Sequence, residues 1–190
     1  MKRIRSRVLA LVAALAVSAG SAVTASAAAA GEQAQRIDRA QIEKKVRKEL
    51  VTLPYYGVFD NLAYEVNGGT VTLYGQVVRP STRSDAERRV ARVAGVERVV
   101  NRIEVLPLSG FDDSIRVSTY RALFGADSPL FRYGRGVDPS IHIVVNRGHV
   151  TLEGVVADEG DSQLAYMRAM GVPGVFSVTN NLAVERRRGR

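Results

Sequence analysis

Cysteine is absent from the 190 residues, which excludes disulfide staples, thiolate metal sites, a catalytic thiol and a lipid-modified N-terminal cysteine. Tryptophan is absent as well, and histidine occurs only as His142 and His149, so imidazole-based catalysis or metal binding has almost no raw material. Apolar runs of spanning length are also missing. The longest begins at Val8 and, even extended to Val23, is broken by Ser18, Gly20 and Ser21. A helix needs about 20 apolar residues to cross a bilayer. These absences favour a binding or structural protein over an enzyme.

What is present at the start of the chain has the form of an export signal. Lys2, Arg3, Arg5 and Arg7 precede the apolar run, and Ala25-Ser26-Ala27 supplies the small-x-small pattern of a cleavage site. Residues 1–27 are therefore expected to be a signal peptide cleaved near Ala27, which places the mature chain in a periplasm with no transmembrane segment left. A retained anchor is the rival reading. The whole chain carries a formal net charge of +8. Removing the four basic signal residues leaves 23 Lys and Arg against 19 Asp and Glu, a net +4. So modest an excess in an exported protein argues against nucleic acid as a partner.

A composition of 46% hydrophobic and 24% charged residues is that of a folded globular chain. Its organisation is a repeat. Val66-Asn67-Gly68-Gly69-Thr70-Val71-Thr72-Leu73-Tyr74-Gly75 returns 79 residues later as Val145-Asn146-Arg147-Gly148-His149-Val150-Thr151-Leu152-Glu153-Gly154. At that offset, without gaps, 18 of the 49 pairs from Gly57 to Val105 are identical. A tandem duplication follows, with domains expected at 38–107 and 113–185 and a basic tail at 186–190. The linker from Leu106 to Asp113 is short, so the copies should be neighbours. Units of this size bury only about 60% of their unfolded surface, which makes mutual packing attractive.

Each copy reads as αββαβ. Ile42, Val46, Leu50 and Leu53 recur at helical spacing before Pro54. Leu62, Tyr64 and Val66 alternate as a strand, and Asn67-Gly68-Gly69 makes a turn whose last residue is expected at positive φ. Val71, Leu73, Gly75 and Val77 form the inner face of the next strand. Gly75 and Gly154 inside their strands imply a close approach of helix or backbone. Ser84 and Glu87 suit a capping box for a helix burying Ala86, Val90 and Val93, ended by Gly95. The last strand, Val96–Val105, returns by a crossover parallel to its predecessor. The second copy repeats the plan with Ile141, Ile143 and Val145, then Val150, Leu152 and Val156, and a helix burying Ala165, Ala169 and Val172. Its first helix is expected near Ser114–Phe124, followed by an ordered loop over 131–138. Asn101 and Asn180 have inward parity and should bond to backbone.

The pattern Val-Asn-x-Gly-x-Val-Thr-Leu-x-Gly-x-Val, then a helix with a central alanine, then Gly-Val-x-x-Val-x-Asn, resembles the BON-domain family, in the arrangement of OsmY-like periplasmic proteins with two BON domains. The resemblance implies an α+β fold of two tandem αββαβ domains, each a three-stranded mixed sheet with two helices on one face. It also implies a non-catalytic module of the cell envelope that contacts phospholipid surfaces or envelope proteins, in envelope maintenance, osmotic stress or a chaperone role. It carries over no catalytic residue, cofactor or metal.

Differences between the copies point to the functional surface. Asp85, Glu87, Arg88 and Ala91 become Leu164, Tyr166, Met167 and Met170, and Glu97 becomes Phe176. With Ala165, Ala169 and Val172 inward, a 100° step turns Tyr166, Met167 and Met170 away from their own sheet, with Leu164 on the opposite flank. Leu164, Tyr166, Met167, Met170 and Phe176 are thus the candidate membrane or partner surface. The alternative is that this face packs on the first copy or on the loop at Leu130–Tyr133. Residues 36–105 carry 13 basic and 9 acidic residues, whereas 112–185 carry 6 and 9. Lys44, Lys45, Arg47 and Lys48 on the first helix are candidate contacts for anionic lipid, or simply a solvated face. His142 and His149 are expected in surface or turn roles. Asp158, Glu159 and Asp161 suit a helix N-terminus, with a calcium site as the lesser reading.

Overall fold

The computed structural model describes residues 39–136 and 138–185. The signal segment 1–27 and the tail 186–190 lie outside the described residues.

The first repeat begins with helix α1 (39–51), which buries Ile42, Val46 and Leu50, with Leu53 just beyond it. Strands β1 (Asn61–Asn67) and β2 (Thr70–Val77) form an antiparallel hairpin pairing Val66 with Val71. Helix α2 (Pro80–Val90) crosses over, and β3 (Arg98–Asn101) and β4 (Glu104–Val105) return parallel to β2. Both helices cover one face of this sheet, where Ala86 and Val90 meet Val71, Leu73 and Val77. The expected single last strand is interrupted: Ile103 N–H turns to Asn101 Oδ1 at 3.1 Å, while Arg102 N–H bonds Leu73 O at 2.8 Å.

The second repeat consists of α3 (Gly110–Phe124), a 3₁₀ segment (Pro129–Gly134), β5 (Ile141–Asn146), β6 (His149–Val156), α4 (Glu159–Met170) and β7 (Ser177–Val184). Strand order is β5-β6-β7, antiparallel then parallel, and β7 is unbroken. Helix α3 starts earlier than its hydrophobic spacing suggested, because Ser109 Oγ accepts Asp112 N–H at 3.2 Å as an N-cap. The loop expected over 131–138 is partly helical. Leu130 and Tyr133 are buried in the core, and Tyr133 Oη accepts Ala157 N–H at 2.9 Å and donates to Asp161 at 2.6 Å.

Three local expectations are corrected. Ser84 is no cap: α2 starts at Pro80, whose fixed φ suits the first helical position, and Ser84 Oγ donates to Pro80 O from inside the helix. In the first hairpin the positive φ falls on Gly68, not Gly69, whereas Arg147 and Gly148 both adopt it in the second. His142 is not a surface residue. It is buried on β5, a strand in which Ile141 through Val145 are all buried, because the first repeat covers that edge.

The repeats meet there. Ile143 N–H bonds Val58 O at 2.7 Å, the Tyr56 ring lies 5.7 Å from that of His142, and Phe59 meets Tyr120 edge-on at 6.1 Å. Val58 and Phe59 of the first repeat pack on the core of the second. Asp60 fixes the loop that carries them, accepting Val78 N–H at 2.7 Å and Gly57 N–H at 3.2 Å.

The strand glycines do admit backbone. Gly75 and Gly154 have φ of +114° and +127°, and a Cβ on either would lie 2.0 Å from a neighbouring carbonyl oxygen, that of Asn61 or Ser140. Asn101 and Asn180 bridge strand to helix as expected, donating to Arg83 O at 3.1 Å and Ser162 O at 3.2 Å. No helix among the described residues is long and apolar enough to cross a membrane.

Candidate interaction surface

Helix α4 is held by its sides, and this fixes what it shows to water. Asp158 caps it by accepting Asp161 N–H at 2.9 Å, and Arg132 and Tyr133 engage the Asp161 carboxylate. Arg168 reaches across to Ala122 O on α3 at 2.9 Å. Ala165 and Ala169 are fully buried, and Leu164 is half-buried against the second core, on the flank facing α3. Tyr166 (36% exposed), Met167 (59%) and Met170 (44%) remain on the outside, and Phe176 (68%) follows the helix. The first repeat does not cover them. Unlike these four, Leu164 is largely withdrawn from solvent.

Phe176 belongs to a cluster that sequence spacing did not reveal. Its ring lies 6.1 Å from Phe111 and 6.0 Å from His149. It rests on the hairpin turn, where a Cβ on Gly148 would come within 2.5 Å of the ring. Phe111, 49% exposed, opens α3 and lies 3.3 Å from the Cβ position of Gly174. Arg147 is exposed at the tip of the same turn. The loop between α4 and β7 thus brings Phe176 beside Phe111, and Met167 and Met170 occupy the last turn of α4 leading into that loop. Phe111 escaped the sequence reading because the copies share no equivalent first-helix spacing; the only signal was an aromatic just after a Ser-Gly cap. In the first repeat Glu97 occupies the place of Phe176, against Gly69.

Lys44, Lys45, Arg47 and Lys48 are exposed on α1. Arg47 is already engaged, pairing with Asp138 of the second repeat at 3.2 Å. His149 Nδ1 lies 2.7 Å from Ser177 Oγ in the hairpin region. Asp158 and Asp161 are taken up by the cap and by Arg132, and among the described residues no three His, Asp or Glu side chains group as a metal site.

The fold and this surface define a tandem α+β module whose second repeat exposes Tyr166, Met167 and Met170 on α4 and the Phe111–Phe176 ring pair near the hairpin turn. The chain belongs to the BON domain family, whose model matches residues 38–107 and 131–186. Helix α3 falls outside the second matched segment. No curated protein matches the chain. Two solved structures of CdsD, a structural protein of the type III secretion system of Chlamydia trachomatis, are similar at 12% identity. One, the C-terminal domain, has a TM-score of 0.26 and covers 75% of this chain and 96% of its own. The other has a TM-score of 0.27, with 76% and 93% covered. At such scores neither likeness bears on what this chain does.

Proposed function

We propose that this is a non-catalytic envelope protein that docks on phospholipid membrane surfaces through its second repeat, acting in the periplasm after cleavage near Ala27, in envelope maintenance or stress response. The observation that carries the reading is the exposure of Tyr166, Met167, Met170 and Phe176 on a folded chain that leaves them uncovered. Each such side chain transferred fully from water contributes roughly 1.5–3 kcal/mol. Phe111 and Arg147 extend the face with one more ring and a cation, and a cation beside an anionic surface adds about 1 kcal/mol. Lys44, Lys45 and Lys48 supply the same attraction from α1.

Co-sedimentation with liposomes of anionic and neutral phospholipid tests this. The wild type is expected to pellet with anionic vesicles, and a Tyr166/Met167/Met170→Ser variant to stay in the supernatant. Equal pelleting of the two would remove α4 from the account.

A second reading, binding of envelope proteins in a chaperone-like role, is favoured by β7. It is an edge strand of eight residues without a single charge or proline, the devices that usually block strand addition. On that reading captured protein survives detergent, and vesicles do not compete for it.

A further inference from the structure

A cleft of about 240 Å³ opens where the two repeats meet, away from the aromatic face. One wall is aliphatic, made by Leu50, Val51 and Leu62. Polar groups from both repeats line the rest, with Arg47, Tyr56, Asn61 and Tyr64 from the first and Asp138 and His142 from the second.

The hydrogen bonding in this cleft is incomplete in a specific way. Asp138 Oδ2 accepts Arg47 Nη2–H at 3.2 Å, which leaves Oδ1 free to face His142 Nε2 across 4.0 Å. That gap is too wide for a direct bond. His142 is more than nine-tenths buried, and its Nδ1 is shut away from solvent with no partner among the described residues, so Nε2 is the nitrogen left to interact with the cleft. A carboxylate oxygen accepts only, and an imidazole Nε2–H donates. One hydroxyl oxygen between them, at about 2.8 Å from each, meets both demands, donating to Asp138 and accepting from His142.

The charges disfavour other ligand classes. Arg47 pairs with Asp138 at 3.2 Å, so an anion that reaches the guanidinium also meets a carboxylate. A metal cation finds one carboxylate with half its oxygens taken, beside a guanidinium. A purely apolar ligand would leave Asp138 Oδ1 and His142 Nε2 desolvated and unbonded. The volume exceeds that of a single water, about 30 Å³, several-fold. A sugar ring has the required mixture, with hydroxyls at its rim for the polar end and C–H faces for the aliphatic wall.

We propose that this cleft binds a small neutral polyhydroxylated molecule of monosaccharide size, one hydroxyl of which bridges His142 Nε2 and Asp138 Oδ1. The site joins elements of both repeats, so neither repeat alone contains it.

The test is an NMR titration of the full chain with D-glucose, D-galactose, D-mannose and glycerol into the hundreds of millimolar. The expected result is saturable, millimolar binding of at least one of them, with shifts confined to Tyr56, Asn61, Leu62 and His142, and with the His142 ring nitrogens reporting the Nε2–H tautomer. Asp138→Ala removes the acceptor at a partly exposed position and should weaken binding about tenfold while leaving the remaining spectrum unchanged. His142→Leu, which removes the Nε2–H donor, should likewise weaken binding. Linear, dispersed shifts with every sugar overturn the proposal, as does binding that survives both substitutions. Saturation by phosphate or acetate in place of the sugars also overturns it, since the cleft would then be an anion site.

Discussion

Asp112, on the first turn of α3, accepts the backbone N–H of Gly148 at 2.8 Å with one carboxylate oxygen, and its other oxygen takes Arg147 N–H at 2.9 Å. One buried side chain thereby fixes the hairpin on which Phe176 rests. It also ties the helix carrying Phe111 to that hairpin, so the aromatic face is set by tertiary contact and not by a local motif.

Replacing Asp112 with alanine leaves two backbone donors of the turn without their partner. The expected loss of stability is roughly 2–4 kcal/mol, measured by urea denaturation. Liposome binding should fall as well, because the ring pair loses its floor. A variant with unchanged stability would show that the turn holds itself.

Phe111→Ser should weaken vesicle binding with little loss of stability, since the ring is half exposed. Tyr120→Ser, on the same helix but packed on Phe59 and Phe124, serves as a control expected to destabilise the fold and leave residual binding intact. Loss of binding in the control alone would move the docking face to the other side of α3.

Gly154→Ala places a methyl against Ser140 O and forces a positive φ on a residue with a Cβ. A cost of about 2–5 kcal/mol is expected by thermal or urea unfolding, with a similar cost for Gly75→Ala. A near-neutral result at either position would mean that the paired strand shifts freely.

Burial holds the Asp60 carboxyl above its usual range, partly offset by the N–H groups of Val78 and Gly57 and by His142. The folded state therefore keeps this proton to higher pH than the unfolded chain does. The contribution is fully present below the ordinary carboxylate pKa and is lost as pH rises through the elevated folded value. Stability measured against pH should thus show the wild type losing ground to Asp60→Asn as pH rises through that window. Parallel profiles for the two proteins would contradict it.

Phe59→Ala should cost about 1–3 kcal/mol and loosen the first repeat from the second, detected as unfolding transitions that no longer coincide between probes placed in each repeat. A single unshifted transition would show that the Ile143–Val58 backbone bond suffices.

Much of this was readable from the sequence because it depends on neighbours along the chain. The duplication, the αββαβ order, the inward positions from Val71 to Val77 and from Val150 to Val156, and the parallel return of the last strand all follow from period and turn chemistry. So does the outward direction of Tyr166, Met167 and Met170, once Ala165 and Ala169 are placed inside. Tertiary structure decided the rest. His142 and Val144 have outward parity yet are buried, His142 beside the Tyr56 ring of the other repeat. Phe111 and Phe176, more than sixty residues apart, become neighbours only because Asp112 and Gly174 bring a helix start and a loop to one end of the sheet. Arg47 looked like any exposed helix cation until Asp138 of the other repeat came within reach. Periodicity records which way a side chain points, but what it then meets depends on how two sheets pack.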